Sequence, residues 1–405
     1  MAQEETGSRW KAFLPPAQWL PVYQLRWLRS DIVAGITLAA YAIPVSLAYA
    51  ALAGLPPQVG IYGYLLGGLG YALFGSSRQL AVGPTSAISL MVGGTLAQMA
   101  GDDALRYGQI ATLAGFTVAS LSILAFVLRL SSLTNFISET ILLGFKAGAA
   151  LTIASTQLAA FLGVPGGGDN FFERIFNVGA QLGQLNPAIA MFGLTALVLL
   201  VCGEIYLPGR PAALMVVAFS IAVVTFTAAG DLPLTLVGNV PAGLPQLGLP
   251  DIRPRDVDGL LPLAFGCILL AYIEGVSAAR AFAAKHGYAL DARQELLGLG
   301  SANLLAAFGG GYPVAGGLSQ SAVNDKGGAK TPLALVFASL TLALCLIFLT
   351  DLVRNLPKAV LAAIVLVAVS GLINLREMRH LRQVSRFEFR VAMVAFWVVL
   401  LLGIL

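Results

Sequence analysis

Charge is what this chain most lacks. Only 11% of its 405 residues are Asp, Glu, Lys or Arg, against 58% hydrophobic, which excludes a soluble domain with an ordinary polar surface. Histidine is nearly missing: His286 and His380 are the two copies, both beside clusters of charge. That gives little support to a Ser/His nucleophile pair or an intramembrane metal site. The three cysteines, Cys202, Cys267 and Cys345, stand far apart in apolar runs, with neither metal-ligand spacing nor a disulfide pattern. No cleavable signal peptide is visible. Residues 1–30 instead mix Trp10, Trp19 and Trp27 with Arg9, Lys11, Arg26 and Arg29, which suits an interfacial segment against the lipid bilayer. A net charge of +4 is no nucleic-acid footprint. No cofactor, metal or nucleic acid is expected.

What the chain has is hydrophobic length. Its apolar runs fit bilayer-crossing helices, near 31–53, 58–75, 80–99, 108–130, 133–162, 187–206, 211–229, 260–284, 291–308, 311–328, 332–350, 357–373 and 387–405, with an amphipathic connector at 170–185. The 45 glycines and 20 prolines sit inside spans, where neighbouring helices re-satisfy the backbone. Alternate loops carry Arg78, Arg129, Arg210, the Arg280/Lys285/Arg293 group, Lys326/Lys330 and Arg376/Arg379/Arg382/Arg386. The others are sparse or acidic, with Asp102/Asp103, Asp169/Glu173 and Asp231/Asp251/Asp256/Asp258. The positive-inside rule then places the N-terminus in the cytoplasm of an inner-membrane protein.

Two spans open unusually. Gln79-Leu80-Ala81-Val82-Gly83-Pro84-Thr85-Ser86 and Gly311-Tyr312-Pro313-Val314-Ala315-Gly316-Gly317-Leu318-Ser319 each run as an apolar extended stub, then Gly or Pro, then a hydroxyl residue opening a helix. Interrupted segments at matching places in two halves point to a transporter's substrate site, and converging helix starts favour an anion. Residues 31–56 pair with about 260–285, the stub at 80–86 with 311–319, and 133–150 with 357–373. Seven spans precede the second half, so the halves have opposite orientation, as inverted repeats require. By that count the chain stops one helix short, on the apolar run 400–405.

The candidate site residues follow from this frame. Thr85, Ser86 and Ser319 can cap their own helices or donate to a ligand, with Gly316 and Gly317 forming the second bend. Tyr41, Pro44 and Ser46 interrupt the first span, and Tyr41 and Ser46 either line a cavity or pack. Gln320 faces a cavity or a helix interface. Glu274, inside the eighth span, is a functional candidate because a carboxyl at membrane depth is costly. Burial disfavours its charged form, so it can carry a proton through a transport cycle. Glu139 and Lys146 read as structural, Arg280 as facing headgroups, and the ladder Gly60, Gly63, Gly67, Gly70 as a close helix contact.

The run Gly54-Leu55-Pro56-Pro57-Gln58-Val59-Gly60-Ile61-Tyr62-Gly63, continuing through Tyr71-Ala72-Leu73-Phe74-Gly75-Ser76-Ser77-Arg78-Gln79-Leu80-Ala81-Val82-Gly83-Pro84, resembles the signature of the sulfate permease (SulP) anion transporters. Residues 310–324, 328–334, 279–283 and 291–296 are similar to further family motifs. The resemblance implies an all-α polytopic membrane protein with an inverted 7+7 repeat, shared with uracil permeases, and short β stubs before spans 3 and 10. It implies an interfacial segment at 1–30, a core domain at 31–130 and 260–350, and a gate domain at 131–259 and 351–405, lacking the last span. A small anion would bind between the ends of spans 3 and 10, with spans 1 and 8 alongside. Elevator-type movement of core against gate would carry it. A homodimer and a cytoplasmic STAS domain are the implied partners. Many relatives carry arginine where this chain has Gln320, which favours uptake, coupled to protons or alternatively to sodium, of an organic anion such as a dicarboxylate, or of sulfate or bicarbonate. In uracil permeases the glutamate on span 8 lies near the substrate, which agrees with Glu274. The competing readings are a passive anion channel or exchanger, a nucleobase–proton symporter and a membrane enzyme. Non-saturating currents would mark the channel. The symporter lacks the 77–84 signature, and an enzyme lacks a plausible catalytic cluster.

Overall fold

In the computed structural model, residues 14–100, 103–131, 139–168, 170–207, 211–227, 232–251, 253–348 and 350–402 are described. Trp10, Arg9 and Lys11 of the interfacial segment, the acidic Asp102, Asp169 and Asp231, Arg210 and residues 403–405 lie outside them, as does the side chain of Glu139. The elements run in chain order as α1 (Leu25–Leu52), α2 (Pro57–Phe74), β1 (Val82–Gly83), α3 (Ser86–Ala100), α4 (Ala104–Val127), α5 (Glu139–Leu162), α6 (Phe171–Ala180), α7 (Pro187–Tyr206), α8 (Ala212–Phe226), α9 (Pro254–His286), α10 (Ala292–Phe308), β2 (Ala315–Gly316), α11 (Leu318–Lys326), α12 (Leu333–Phe348), α13 (Lys358–Ser370), α14 (Leu375–Val384) and α15 (Arg386–Leu402). Among the described residues, six helices are long and apolar enough to cross a membrane, and 86–97, α8 and α12 are shorter apolar helices.

Three local expectations change. Pro44 does not interrupt the first span: α1 runs unbroken through it. Ser46 donates to the Ile43 carbonyl at 2.9 Å, turning its hydroxyl into its own helix. The eighth span starts early, at Pro254, inside the stretch read as gate. The tenth is a nine-residue helix behind its stub.

The contacts divide the chain into two units, Met1–Thr134 with Pro241–Leu349, and Asn135–Val240 with Thr350–Leu405. In the second, α5 packs on α13 and α15, and α13 on α7. Lys358 and Val237 donate backbone bonds across the two segments, to Thr235 and Leu356. In the first, α10 packs against α2 and α4, and α12 against α1 and α2. Residues 241–259 go with this first unit, not with 135–240 as expected. Gly243 and Gly248 donate to the carbonyls of Leu346 and Phe308, and Asp256 pairs with Arg106, itself buried at the start of α4.

The glycine ladder sets how closely α2 approaches its neighbours. A Cβ on Gly60 would lie 2.1 Å from the Ser46 carbonyl oxygen, and one on Gly70 2.4 Å from that of Ser301. Gly63 and Gly67 leave room for Pro84 and Val314, which border the stubs. The ladder lets α2 press on α1, on the stubs and on α10.

Candidate functional site

The two stubs pair. β1 and β2 form an antiparallel two-stranded sheet with Val82 opposite Gly316 and Gly83 opposite Ala315, and Gly317 N–H reaches the Ala81 carbonyl at 3.4 Å. The chain therefore leaves the sheet in opposite directions into α3 and α11. Each helix starts within three residues of its strand. A helix start carries unpaired N–H groups and a partial positive charge, and no side chain caps α11.

Two residues per strand cannot hold such a pair alone, so side chains hold it. Gln320, buried in the first turn of α11, donates through Nε2 to the Ala81 carbonyl just before β1 at 2.9 Å and to the Ala315 carbonyl within β2 at 3.0 Å. Its Oε1 accepts from the Tyr64 hydroxyl of α2. Asn303 of α10 grips Val314 from behind, accepting from its N–H at 2.9 Å and donating to its carbonyl at 3.0 Å. Ser321 accepts from Ala81 N–H at 2.9 Å while donating to the Gly317 carbonyl at 2.7 Å. Further along, Asn324 donates to the Gln79 carbonyl and the Gln79 amide to that of Ala329.

The expected site residues sort into distinct roles. Thr85 precedes α3, and its hydroxyl is buried yet makes no hydrogen bond within the protein, so it does not cap. Ser86 is within hydrogen-bonding range of the Tyr49 phenol of α1. Ser319 is exposed at the start of α11. A Cβ on Gly316 would come within 2.8 Å of Leu80, and one on Gly317 within 3.1 Å of the Gln320 amide, so both glycines allow the close turn. Ser46 is fully buried and committed to its helix, and Tyr41 is half-buried on α1. Glu274 is half-buried on α9 and interacts electrostatically with Tyr49. Beside it, the position a Gly275 Cβ would take lies 3.9 Å from the Gly316 Cα. A narrow crevice lined by Leu80, Val82, Tyr272, Gly275, Glu295 and Gly316 runs along this contact. Glu274 is the chain neighbour of the glycine that meets the strand launching α11.

With this geometry in place, the likeness to known proteins can be read. Residues 28–395 match the Sulfate permease family. The chain belongs to that family. Among its relatives is a probable sulfate transporter of Mycobacterium tuberculosis, 35% identical over 385 residues, or 94% of this chain and 68% of the relative. Another is a sodium-independent sulfate anion transporter of Bos taurus, 30% identical over 426 residues, or 97% of this chain and 69% of the relative. The solved structures it resembles include murine Solute Carrier 26 family member A9 in its inward-facing state (TM-score 0.89, 23% identity, 98% of this chain and 69% of that one). The transmembrane domain of the cyanobacterial bicarbonate transporter BicA also matches (TM-score 0.84, 22% identity, 94% and 97%). At that identity these two speak for the fold. The chain spans about two thirds of the length of the curated relatives it matches. It is a multi-pass membrane protein, and the relatives named here are transporters.

Within this sulfate permease fold, three carboxylates are clamps that sequence reasoning missed. Glu295 of α10 is 3% exposed. It accepts from the Tyr71 hydroxyl at 2.7 Å, from Ser76 through both N–H (2.9 Å) and hydroxyl (2.7 Å), and from Ser77 N–H at 3.2 Å. This fixes the loop feeding β1. Asp31 of α1 is fully buried and accepts from the N–H groups of Lys330 and Thr331 and from the Thr331 hydroxyl, fixing the loop into α12. At the loop end of α11, Asp325 receives Lys285 Nζ at 2.6 Å and the His286 ring, both from the last turn of α9. Burial pushes the Asp325 carboxyl up, but the bonds and charges of Lys285 and His286 outweigh it and hold the group below the usual carboxylate range. A carboxyl depressed by folding adds stability above its unfolded value, near ~4, and loses it as pH falls through the folded one. Asp325→Asn is therefore expected to lower the melting temperature modestly at pH 7. The gap to wild type should close below about pH 4, as measured by thermal shift in detergent across pH.

Proposed function

We propose that this anion transporter of the sulfate permease family binds a small anion at the starts of α3 and α11 and moves it by proton-coupled, secondary active transport. One observation carries the reading: the antiparallel pairing of β1 and β2 brings the starts of two helices to one small sheet, with the Thr85 hydroxyl buried and unbonded before the first of them. The anion's ligands are the free N–H groups of both starts and the hydroxyls of Thr85 and Ser319; Ser86 and Tyr49 line the α1 side. Gln320 supports the site from behind, because its amide is spent on Ala81, Ala315 and Tyr64. Helix ends contribute about 0.3–2 kcal/mol each to holding a charge, a grip loose enough for a carrier that must also release its cargo. The cargo is a small oxyanion: sulfate or bicarbonate, as the relatives' names suggest, or a dicarboxylate.

Glu274 is the proton carrier in this reading. It stands beside the Gly275–Gly316 contact, so its charge is felt where the anion binds. The Bos taurus relative's name, sodium-independent, supports protons over sodium. The site lies whole inside the first unit, so that unit can carry it as one body, which an elevator-type mechanism over an inverted repeat requires. A cytoplasmic N-terminus, a homodimer and a cytoplasmic STAS domain complete the expectation.

The test is uptake of labelled sulfate, bicarbonate and C4-dicarboxylates into proteoliposomes, with and without an imposed pH gradient. Saturable uptake raised several-fold by the gradient is expected for one anion class. Glu274→Gln should take up that anion at the gradient-free rate. A Glu274→Gln protein that still follows the gradient would remove Glu274 from coupling, and large non-saturating currents would replace the carrier with a channel.

A further inference from the structure

We infer that α14 lies in the membrane surface and docks anionic phospholipid headgroups through Arg376 and Arg379. The reading depends only on the chain's being a membrane protein, not on what it carries.

Connectivity places the helix. The chain leaves the apolar α13 at Ser370 and enters the apolar α15 at Arg386, so the ten residues of α14 lie between two apolar helices, at a surface. By its sequence this stretch reads as loop charge; it is a built helix. Asn374 caps it, accepting from Glu377 N–H at 3.0 Å and donating to the Glu377 carboxylate at 2.8 Å. That bond also occupies the acidic side chain nearest to Arg376.

The two faces of α14 differ in kind. Met378 and Leu381, three apart and so on one face, are half-buried, and the inward line continues to Ser385 and Phe389. Arg376, Arg379 and Arg382 are exposed around the other side. Leu375 and Val384, at the two ends, are 59% and 70% exposed; nine residues apart, they stand on opposite sides of the helix, Leu375 among the arginines. Arg382 has a partner, with its guanidinium 5.9 Å from the centre of the Phe389 ring. Arg376 and Arg379 make no ion pair among the described residues, whereas Lys285 in the first unit has found Asp325.

A second surface helix shows that the basic face is a separate feature. α6 also exposes apolar side chains, Phe172, Ile175 and Phe176, yet carries one Arg and one Glu. A basic amphipathic helix beside a membrane span has the composition that recognises anionic lipid, and guanidinium forks match phosphate oxygens.

The test is native mass spectrometry of the detergent-solubilised full chain, titrated separately with phosphatidylglycerol and phosphatidylcholine. Tighter binding of phosphatidylglycerol is expected. Arg376→Gln with Arg379→Gln should weaken it by about fivefold per arginine removed and leave phosphatidylcholine unchanged. Arg376→Lys with Arg379→Lys keeps the charge and should bind within a few-fold of wild type, which separates lost charge from lost fold. Equal binding of the two lipids to wild type, or lost binding in the lysine pair, would overturn the proposal. So would unchanged phosphatidylglycerol binding in the glutamine pair, which would leave the basic face to an acidic polypeptide.

Discussion

Gln320→Leu is expected to destabilise the first unit severely. Leucine fills nearly the same volume in a site only 3% exposed, so packing changes little. What is lost is polar: the Ala81 and Ala315 carbonyls lose their donor and the Tyr64 hydroxyl its acceptor. Each buried group left unsatisfied costs about 1–3 kcal/mol, so the three together exceed the worth of an ordinary core substitution. In a unit of this size the apparent melting temperature should fall by roughly 6 °C or more, read by thermal shift in detergent. Uptake would fall with the folded fraction. A variant that melts like wild type but has lost its anion affinity would show that Gln320 touches the cargo and does not brace the strands.

Thr85→Val should behave in the opposite way. Valine reproduces the shape of threonine, and the hydroxyl it removes has no partner in the protein. Stability should stay the same or rise slightly, since a buried polar atom without a bond is itself a cost. Transport should suffer: a hydrogen bond to a charged group is worth about 1.5–3 kcal/mol, so the KM for the anion should rise roughly 10- to 100-fold. The two variants together form a discriminating pair, one losing fold and the other affinity. Uptake by Thr85→Val with an unaltered KM would place the anion elsewhere.

The sequence showed the two stubs because their signal is local. An apolar extended stretch, a Gly or Pro and a hydroxyl are adjacent in the chain, and both stubs carry them. It could not show what holds the stubs together. Tyr64, Asn303 and Ser321 look like ordinary residues of ordinary spans, and their partners lie far along the chain. Gln320 was visible as a polar residue in an apolar segment, but its direction depends on where two distant carbonyls come to rest. Pro44 was legible as a proline yet misleading, since a well-packed membrane helix can run through one. Residues 254–259 read as loop because Arg253, Arg255, Asp256 and Asp258 crowd there; the ion pair of Asp256 with Arg106 makes them the first turns of a helix. The amphipathic α6 was expected, whereas α14 was hidden by its arginines, which serve equally well as a topology signal.

The pairing of β1 with β2 also constrains how the molecule is made. The strands that meet are separated by roughly 230 residues, and everything from Asn135 to Val240 is synthesised between them. A nascent chain that has inserted only its first spans holds Ala81 and Val82 with unmet backbone groups at bilayer depth, where each such group costs several kcal/mol. It stays unfinished until Gln320 and Ser321 have left the ribosome. Biogenesis is therefore out of sequence order: the earliest part to be threaded into the lipid is among the last to mature.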